Sequence, residues 1–425
     1  MRWATGVLMV VVAVPAAAQQ FEVTLPEAIQ RALLIQPLMV EARGEARSAG
    51  AGRRTALGAY LPSVSTSFSA ARSNTGRIDN TTGQAVPPEY SYTGGLNVNL
   101  QLFDGFSRLA NLRSRAASQD AAEAGVVNQR FQVTLATREV FYDALAREEL
   151  VRVAEAQVRR AQQQLQISVE KLRAGSATRS DSLRSTVEYG NARIALLQAQ
   201  ANLATAQANL GRQIGVDVPV RAVPDTALPA LPDTAALRSG ALATAPQVEQ
   251  AEARARAARA AVWAARAQYW PTLNVSYTNN RQGTGSPNWP LFSGYPEQFT
   301  WRFGVSWTLF NGFAREQGQV EASAGRDLAD ARAADARRQV NAQLTQQIAA
   351  LATTYEQIAI GRANVAAATE DLRVQNERYR VGAATILDLL TSQTALTTAQ
   401  VNLVQARFDY LIARAQVEAL LGRTL

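Results

Sequence analysis

The stretch Leu-Phe-Asp-Gly-Phe-Ser-Arg at residues 102–108 occurs a second time, as Leu-Phe-Asn-Gly-Phe-Ala-Arg, at residues 309–315. Each copy follows a segment in which apolar and polar residues alternate, and each precedes a long stretch without proline. Alternation of period two indicates a β-strand, and apolar residues at helical spacing indicate an α-helix. The repeated stretch therefore predicts the same strand-to-helix junction at two places in the chain.

The offset of 207 residues between these two stretches continues towards the end of the chain. Glu-Lys-Leu-Arg-Ala-Gly at 170–175 returns as Glu-Arg-Tyr-Arg-Val-Gly at 377–382, and Gly215 corresponds to Gly422. A long internal repeat of this kind means that one structural unit occurs twice. We therefore predict a tandem duplication.

The duplication predicts the domain boundaries. A first repeat spans residues 19–215, a proline-rich linker spans 216–245, and a second repeat spans 246–425. The linker has too many prolines for a long helix, so we expect a short strand or an irregular belt there. We expect the strands at about 61–70, 92–103, 270–279 and 300–310, and the helical hairpins at about 105–214 and 312–422.

The predicted strands have features of membrane β-strands. Leu96, Val98 and Leu100 alternate with polar residues, which is typical of a strand with one lipid face and one polar face. Tyrosine and tryptophan lie along or beside the strands, as aromatic girdles at a membrane interface require. An ordinary half-buried sheet shows the same alternation, so both interpretations stay open at this point. The aromatic residues are Tyr269, Trp270, Trp301 and Trp307.

The first eighteen residues predict a cleavable export signal. Arg2 is followed by the apolar segment Val7 to Val14 and by the small residues Ala16 to Ala18. No later stretch reaches the ~18 apolar residues of a transmembrane helix. We therefore expect an exported protein that enters a membrane, if at all, as strands.

The composition excludes several kinds of chemistry. The chain has no histidine and no cysteine, which removes zinc sites of the usual kind and the common catalytic triads. The formal charge of +8 arises from arginines interspersed with acidic residues along helical stretches, as on a solvated helix face. We expect no enzyme activity, no cofactor, no metal site and no nucleic-acid partner.

A glycine interrupts each long helical stretch, and a capping sequence follows it. Gly175 and Gly382 suit the left-handed position that ends a helix. Thr178 with Asp181, and the corresponding threonine and aspartate of the second copy, fit a capping box that begins the next helix. Each repeat therefore encodes a helical hairpin. These residues could serve the turn alone, or the turn and a further function.

The chain resembles the TolC family of outer-membrane efflux and secretion ducts. The resemblance covers nearly the whole chain, and it is carried by the segments 102–108 and 309–315 and by the hairpin sequence at 378–390. It implies an α+β membrane protein that forms a homotrimer. In it, a twelve-stranded β-barrel in the outer membrane continues as an α-helical barrel in the periplasm. The implied partners are outer-membrane lipid, a periplasmic adaptor and an inner-membrane pump, in tripartite efflux or type I secretion.

The resemblance also implies roles for individual residues. A ring of Asp388 side chains would narrow the aperture, and Tyr379 with Asp181 would form a polar link between hairpins. Thr391 stands where some members have a second aspartate, so a single acidic ring is implied. The adaptor would meet the two turns at Gly175, Ala177, Thr178, Gly382, Ala383, Ala384 and Thr385.

Two other classes of protein share some of these features. A structural or adhesive coiled-coil protein anchored in the outer membrane would also have long helices and strands. Such a protein does not need two matched hairpins with strands inside each repeat. A periplasmic adaptor has one hairpin between globular β-domains, whereas this chain predicts two hairpins in a duplication.

Overall fold

A computed structural model describes most of the chain as two copies of a strand pair followed by a helical hairpin. The export signal predicted for residues 1–18 lies outside the described residues, and so do parts of the two polar loops. The structure describes residues 21–72, 77–78, 81, 83–86, 90–224, 228–238, 244–284 and 295–425.

Long helices dominate the described residues. In chain order the helices are α1 (Leu25–Ile35), α2 (Pro37–Gly58), α3 (Ser107–Arg173), α4 (Arg179–Ile214), α5 (Thr234–Arg238), α6 (Pro246–Arg266), α7 (Ala314–Arg380) and α8 (Ile386–Leu421). The hairpin α3–α4 and the hairpin α7–α8 both consist of a helix of 67 residues and a helix of 36 residues. The duplication therefore preserves helix length to the residue.

The exposed faces of these helices are charged. Their exposed faces carry ion pairs one turn apart, such as Arg147 with Asp143 at 3.1 Å and Arg152 with Glu148 at 3.1 Å. Within the part of the chain that the structure describes, no helix is apolar over a length that could cross a membrane. Abundant alanine and the absence of internal proline explain how α3 and α7 extend so far.

One antiparallel sheet of four strands joins the two copies in the order β2-β5-β7-β8. The last strand ends at Ser306, so residues 307–310, which the sequence pattern assigned to it, lie outside the strand. The strands are β1 (Phe21–Val23), β2 (Ser63–Arg72), β3 (Arg77–Ile78), β4 (Ala85–Val86), β5 (Tyr90–Phe103), β6 (Val220–Ala222), β7 (Thr272–Thr284) and β8 (Glu297–Ser306). The linker contributes β6, which pairs in parallel with β1.

The register of β5 against β7 gathers apolar side chains on one face of the sheet. Directly paired residues of antiparallel strands point to the same side. Paired in this way are Val98 with Tyr277, Leu100 with Val275, and Phe103 with Leu273. These three pairs form an apolar row that ends at Phe103, next to the start of α3.

The repeated stretch at 102–108 and 309–315 forms a turn with two consecutive left-handed residues. Gly105 and Phe106 have φ values of 65° and 67°, and Gly312 and Phe313 have φ values of 66°. A side chain in this region costs about 1–2 kcal/mol, so each phenylalanine is held there by its surroundings. Gly105 also permits close packing, because a Cβ there would lie 2.3 Å from the Cβ of Trp270.

The arginine that ends each stretch connects the helix to the backbone at the end of the preceding strand or just after it. Arg315 donates to the carbonyl oxygens of Thr308 at 2.8 Å and Leu309 at 2.9 Å, and its guanidinium lies 4.7 Å from the ring centre of Tyr269. Arg108 makes the equivalent bond to Leu102 at 2.9 Å, with its guanidinium over the ring of Tyr60 at 4.9 Å. The geometry explains why each stretch ends in arginine and why each strand pair is preceded by tyrosine.

The chain forms two compact units. Unit 1 comprises the described residues within Met1–Val40, Gln129–Ala241 and Ala342–Leu425, and unit 2 comprises those within Glu41–Asn128 and Leu242–Asn341. The apolar core of unit 1 includes clusters around the buried rings of Phe141, Tyr410 and Tyr379. Unit 2 contains the four-stranded sheet and both strand-to-helix turns, and unit 1 contains both hairpin turns.

Candidate functional site

The first hairpin turn, between α3 and α4, is closed by two backbone hydrogen bonds around Gly175. The amide of Gly175 donates to the carbonyl of Leu172 at 3.0 Å, and the amide of Ser176 donates to that of Lys171 at 2.9 Å. Gly175 has a φ of 70°, which is the left-handed conformation that this helix ending requires.

The second turn, between α7 and α8, repeats this arrangement. Gly382 has a φ of 79°, and its amide donates to the carbonyl of Tyr379 at 3.3 Å. The amide of Ala383 donates to the carbonyl of Arg378 at 2.7 Å. A Cβ added at Gly175 or at Gly382 would meet no atom within 4 Å. Both turns therefore present a small, open surface.

A complete capping box begins the helix after each turn. The hydroxyl of Thr178 accepts from the amide of Asp181 at 3.2 Å, and the carboxylate of Asp181 accepts from the amide of Thr178 at 3.0 Å. In the second copy the corresponding distances between Thr385 and Asp388 are 3.3 Å and 2.9 Å. The capping function inferred from the sequence thus accounts for both carboxylates within one chain.

The cap also sets the charge of Asp388. Hydrogen bonds from the amide and the hydroxyl of Thr385, together with the charge of Arg378, lower the pKa of Asp388. The hydroxyl of Thr385 donates to the carboxylate at 2.7 Å. Asp388 is therefore ionised at neutral pH, and its side chain is exposed on the first turn of α8.

Tyr379 and Asp181 do not form the polar link that the resemblance implies. Among the described residues, the hydroxyl of Tyr379 has no hydrogen-bond partner, and the carboxylate of Asp181 is held by its own cap. The ring of Tyr379 is only 6% exposed and packs in a cluster with Leu372 and Leu389. Within one chain the cap of α4 keeps the carboxylate of Asp181 at its own helix, and the link between hairpins stays a prediction.

Lys171 of the first hairpin contacts the ring and the backbone of Tyr379. Its ammonium lies 4.1 Å from the centre of the Tyr379 ring, and it donates a hydrogen bond to the carbonyl oxygen of Tyr379. This contact connects the two hairpins near their turns. The sequence distinguishes this position in one way: Lys171 is the single lysine of the chain, and the equivalent residue of the second copy is Arg378.

Buried polar contacts stabilise each hairpin close to its turn. In the first hairpin the hydroxyls of Ser168 and Ser185 lie 2.8 Å apart, and both residues are buried. In the second hairpin Ser392, the equivalent of Ser185, donates to the carboxylate of Asp371 at 2.5 Å. Each pair lets two helices approach closely without leaving a buried hydroxyl unsatisfied.

The polar groups of both turns are engaged in the caps of the following helices. The side chains at the turns are small, apart from capping hydroxyls and carboxylates that already have hydrogen-bond partners. Within the described ranges, no group of three or more histidine, cysteine, aspartate or glutamate residues is placed to hold a metal ion.

A family comparison identifies the architecture. The model of the outer membrane efflux protein family matches residues 28–216 and 237–423, which is one match for each repeat. The chain belongs to the outer membrane efflux protein family. The resemblance to TolC-type ducts is thereby confirmed. The protein is an outer-membrane efflux or secretion channel, with its helical part in the periplasm.

Individual relatives agree with this assignment. The chain is 24% identical to the outer membrane efflux protein BepC of Brucella suis, over 84% of this chain and 76% of that protein. It is 30% identical to the protein CyaE of Bordetella pertussis, over 71% of this chain and 63% of that protein.

Solved structures show the same fold. The outer membrane protein VceC of Vibrio cholerae superimposes with a TM-score of 0.79 at 19% identity, covering 94% of this chain and 96% of that one. At this identity the likeness concerns the fold alone. It includes the tandem repeat, with a predominance of helix and a smaller share of sheet.

Proposed function

We propose that this member of the outer membrane efflux protein family works as a homotrimeric exit duct. Its twelve strands would form a closed barrel in the outer membrane, continuous with a periplasmic barrel of helices. The observation that carries this proposal is the open sheet of four strands, in which, among the described strands, β2 and β8 are each paired on one side only. Backbone groups at an open sheet edge cannot be left unpaired in lipid.

The two edge strands are well matched to each other. Both β2 and β8 have ten residues, and every residue of both is exposed. Pairing β2 of one copy with β8 of the next is a head-to-tail contact, which forms a ring when the rotation closes. Three copies supply twelve strands, which lies inside the known range of outer-membrane barrels.

The hairpin turns are the proposed meeting point with a periplasmic adaptor, which would connect the duct to an inner-membrane pump. Support comes from the glycine in each turn and from the open space around it, because a second backbone can approach such a surface closely. The adaptor would contact both turns of each chain. The contacting residues would be Gly175, Ala177, Thr178, Gly382, Ala383, Ala384 and Thr385.

The same end of the duct would carry the gate. Three copies of Asp388 at the aperture would form one acidic ring that attracts cations, in addition to their capping function. Asp181 and Tyr379 would lie in the same zone. The contact of Lys171 with Tyr379 suggests that the first hairpin holds the second in the resting position.

The alternative of an anchored adhesive protein differs in what it predicts for a bilayer. The full-length protein, exported with its own signal and purified in detergent, should have the mass of a trimer by native mass spectrometry. Reconstituted into a planar bilayer, it should conduct ions in discrete steps. A stable monomer in detergent would refute the twelve-stranded barrel, and a trimer without any conductance would favour the adhesive alternative.

A further inference from the structure

Unit 2 contains a groove lined by aromatic side chains and arginines. It lies between the start of α3 and the end of α6 and has a volume of about 660 Å³. Its apolar lining includes Phe106, Trp263 and Trp270. Three arginines, Arg113, Arg259 and Arg266, also line it.

The aromatic residues of this groove are unusually accessible. Trp263 is 67% exposed, Phe106 is 59% exposed and Trp270 is 56% exposed. A contiguous apolar surface of this kind marks a binding site or contact with a membrane. Tryptophan in particular is enriched where an apolar phase meets a polar one.

The charge of the groove is positive. Arg259 is paired with Asp330 at 2.8 Å, whereas Arg113 and Arg266 form no ion pair among the described residues. The guanidinium of Arg266 lies over the ring of Trp263, 5.9 Å from its centre. Two arginines therefore remain available for an anion beside an aromatic surface.

Comparison of the two repeats shows whether the left-handed turn needs the arginine and tryptophan side chains of the groove. The left-handed turn occurs twice, but its surroundings do not. In the other copy, the position of Arg113 holds Val320, that of Trp263 holds Arg54, and that of Arg266 holds Leu57. The second turn forms with neither of these two arginines and without this tryptophan at the equivalent positions, so the three side chains are not needed for the turn.

The groove continues the apolar row of the sheet. That row ends at Phe103, whose ring lies 5.4 Å from the ring of Phe106. The ring of Phe106 in turn lies 6.4 Å from that of Trp270. If the sheet spans the outer membrane as proposed above, the groove lies where the hydrocarbon meets the phosphate layer of the periplasmic leaflet.

We propose that this groove binds a phospholipid of the periplasmic leaflet. The phosphate accepts hydrogen bonds from Arg113 and Arg266, since guanidinium is well suited to bind phosphate. The acyl chains lie against Phe106 and the two tryptophans and run towards the apolar row of the sheet. The proposal rests on the proposed function only in placing the groove at the leaflet; the binding itself is a property of the purified protein.

The test is a titration of the full-length protein, purified in an uncharged detergent, with phosphatidylglycerol and native mass spectrometry as the readout. The variant Arg113→Gln/Arg266→Gln should bind this lipid about tenfold more weakly. Two charge-assisted hydrogen bonds are lost, and solvent screening reduces the contribution of each because both arginines are exposed. The matched control, Arg159→Gln/Arg338→Gln, removes the same charge from exposed helix positions and should bind as the wild type does. Both variants should keep the oligomeric mass and the thermal midpoint of the wild type.

Two further probes distinguish the occupants. Diacylglycerol, which has the same chains without phosphate, should bind no better to the wild type than to the variant. Inorganic phosphate should not displace phosphatidylglycerol. Equal affinity of variant and control would overturn the proposal, and so would displacement by free phosphate, which would indicate a site for soluble anions. Conductance is measured separately, so a failed channel and a failed lipid site give different results.

Discussion

Replacing Lys171 by glutamine tests whether the first hairpin restrains the second. The ammonium of Lys171 lies over the ring of Tyr379 and donates to the carbonyl at the end of α7. Glutamine keeps most of the length of the side chain but removes the charge. If opening of the duct separates the two hairpins, the variant should be open for a larger fraction of the time.

The structure gives the size of the effect. A hydrogen bond from a charged donor contributes about 1.5–3 kcal/mol, and a cation–π contact contributes about 0.5–2 kcal/mol. Lys171 is only partly buried, so solvent screening reduces the sum, and we take about 2 kcal/mol for the loss. This corresponds to a shift of about thirtyfold in the ratio of open to closed channels.

Single-channel recording in planar bilayers measures this ratio directly. Lys171→Arg is the first control, because it keeps a cation over the ring. Arg378→Gln is the second, because Arg378 is the duplicated position and its guanidinium donates to the carbonyl of Ala383 in its own turn, at 3.3 Å. The reasoning is refuted if Lys171→Gln has the open probability of the wild type, since the two hairpins would then move as one body.

Three other changes address the turns and the junction. Gly382→Trp should leave the trimer and its conductance intact but abolish export in cells. The control Gly382→Ala, which adds backbone strain without a bulky side chain, should retain export. Normal export by the tryptophan variant would contradict adaptor contact at the turn. The lowered pKa of Asp388 means that its cap stabilises the fold above about pH 4 and loses this contribution as the pH falls through the folded value. The thermal midpoint of Asp388→Asn should therefore lie below that of the wild type at pH 7 and match it near pH 2. In the same variant, weaker block of the current by a multivalent cation would support the acidic ring. Unchanged block would mean that Asp388 serves only as a helix cap. Arg315→Ala should destabilise the fold by about 3 kcal/mol in chemical unfolding, because two carbonyls lose a charged donor. The control Arg326→Ala, at a half-exposed arginine that pairs with the neighbouring Asp327, should change the free energy of unfolding by less than about 0.5 kcal/mol. Equal effects of the two variants would contradict the stabilising role of Arg315.

Features set by neighbours in the chain could be inferred without a structure. The capping boxes at Thr178 and Thr385 and the glycine endings of the long helices depend on residues within one turn of each other. The same holds for the alternation in β5 and for the repeated junction sequence. Because the chain contains two copies, each such local signal occurs twice, and the agreement between copies separates it from coincidence.

Contacts between distant segments were decided by the tertiary structure. The sequence pairs Asp181 with Tyr379 only through resemblance, and the fold instead brings Lys171 to that ring, since the carboxylate is already satisfied by its own cap. The groove at Phe106 is likewise invisible in the sequence, because Arg113 and Arg266 are far apart along the chain. The register of β5 against β7 brings α3 beside α6 in the folded molecule. By itself, the sequence determined the duplication, the length of the helices and the chemistry of each turn, since these depend on short-range geometry. Which side chain of one repeat meets which of the other depends on register and packing across the chain, and only the folded molecule contains that information.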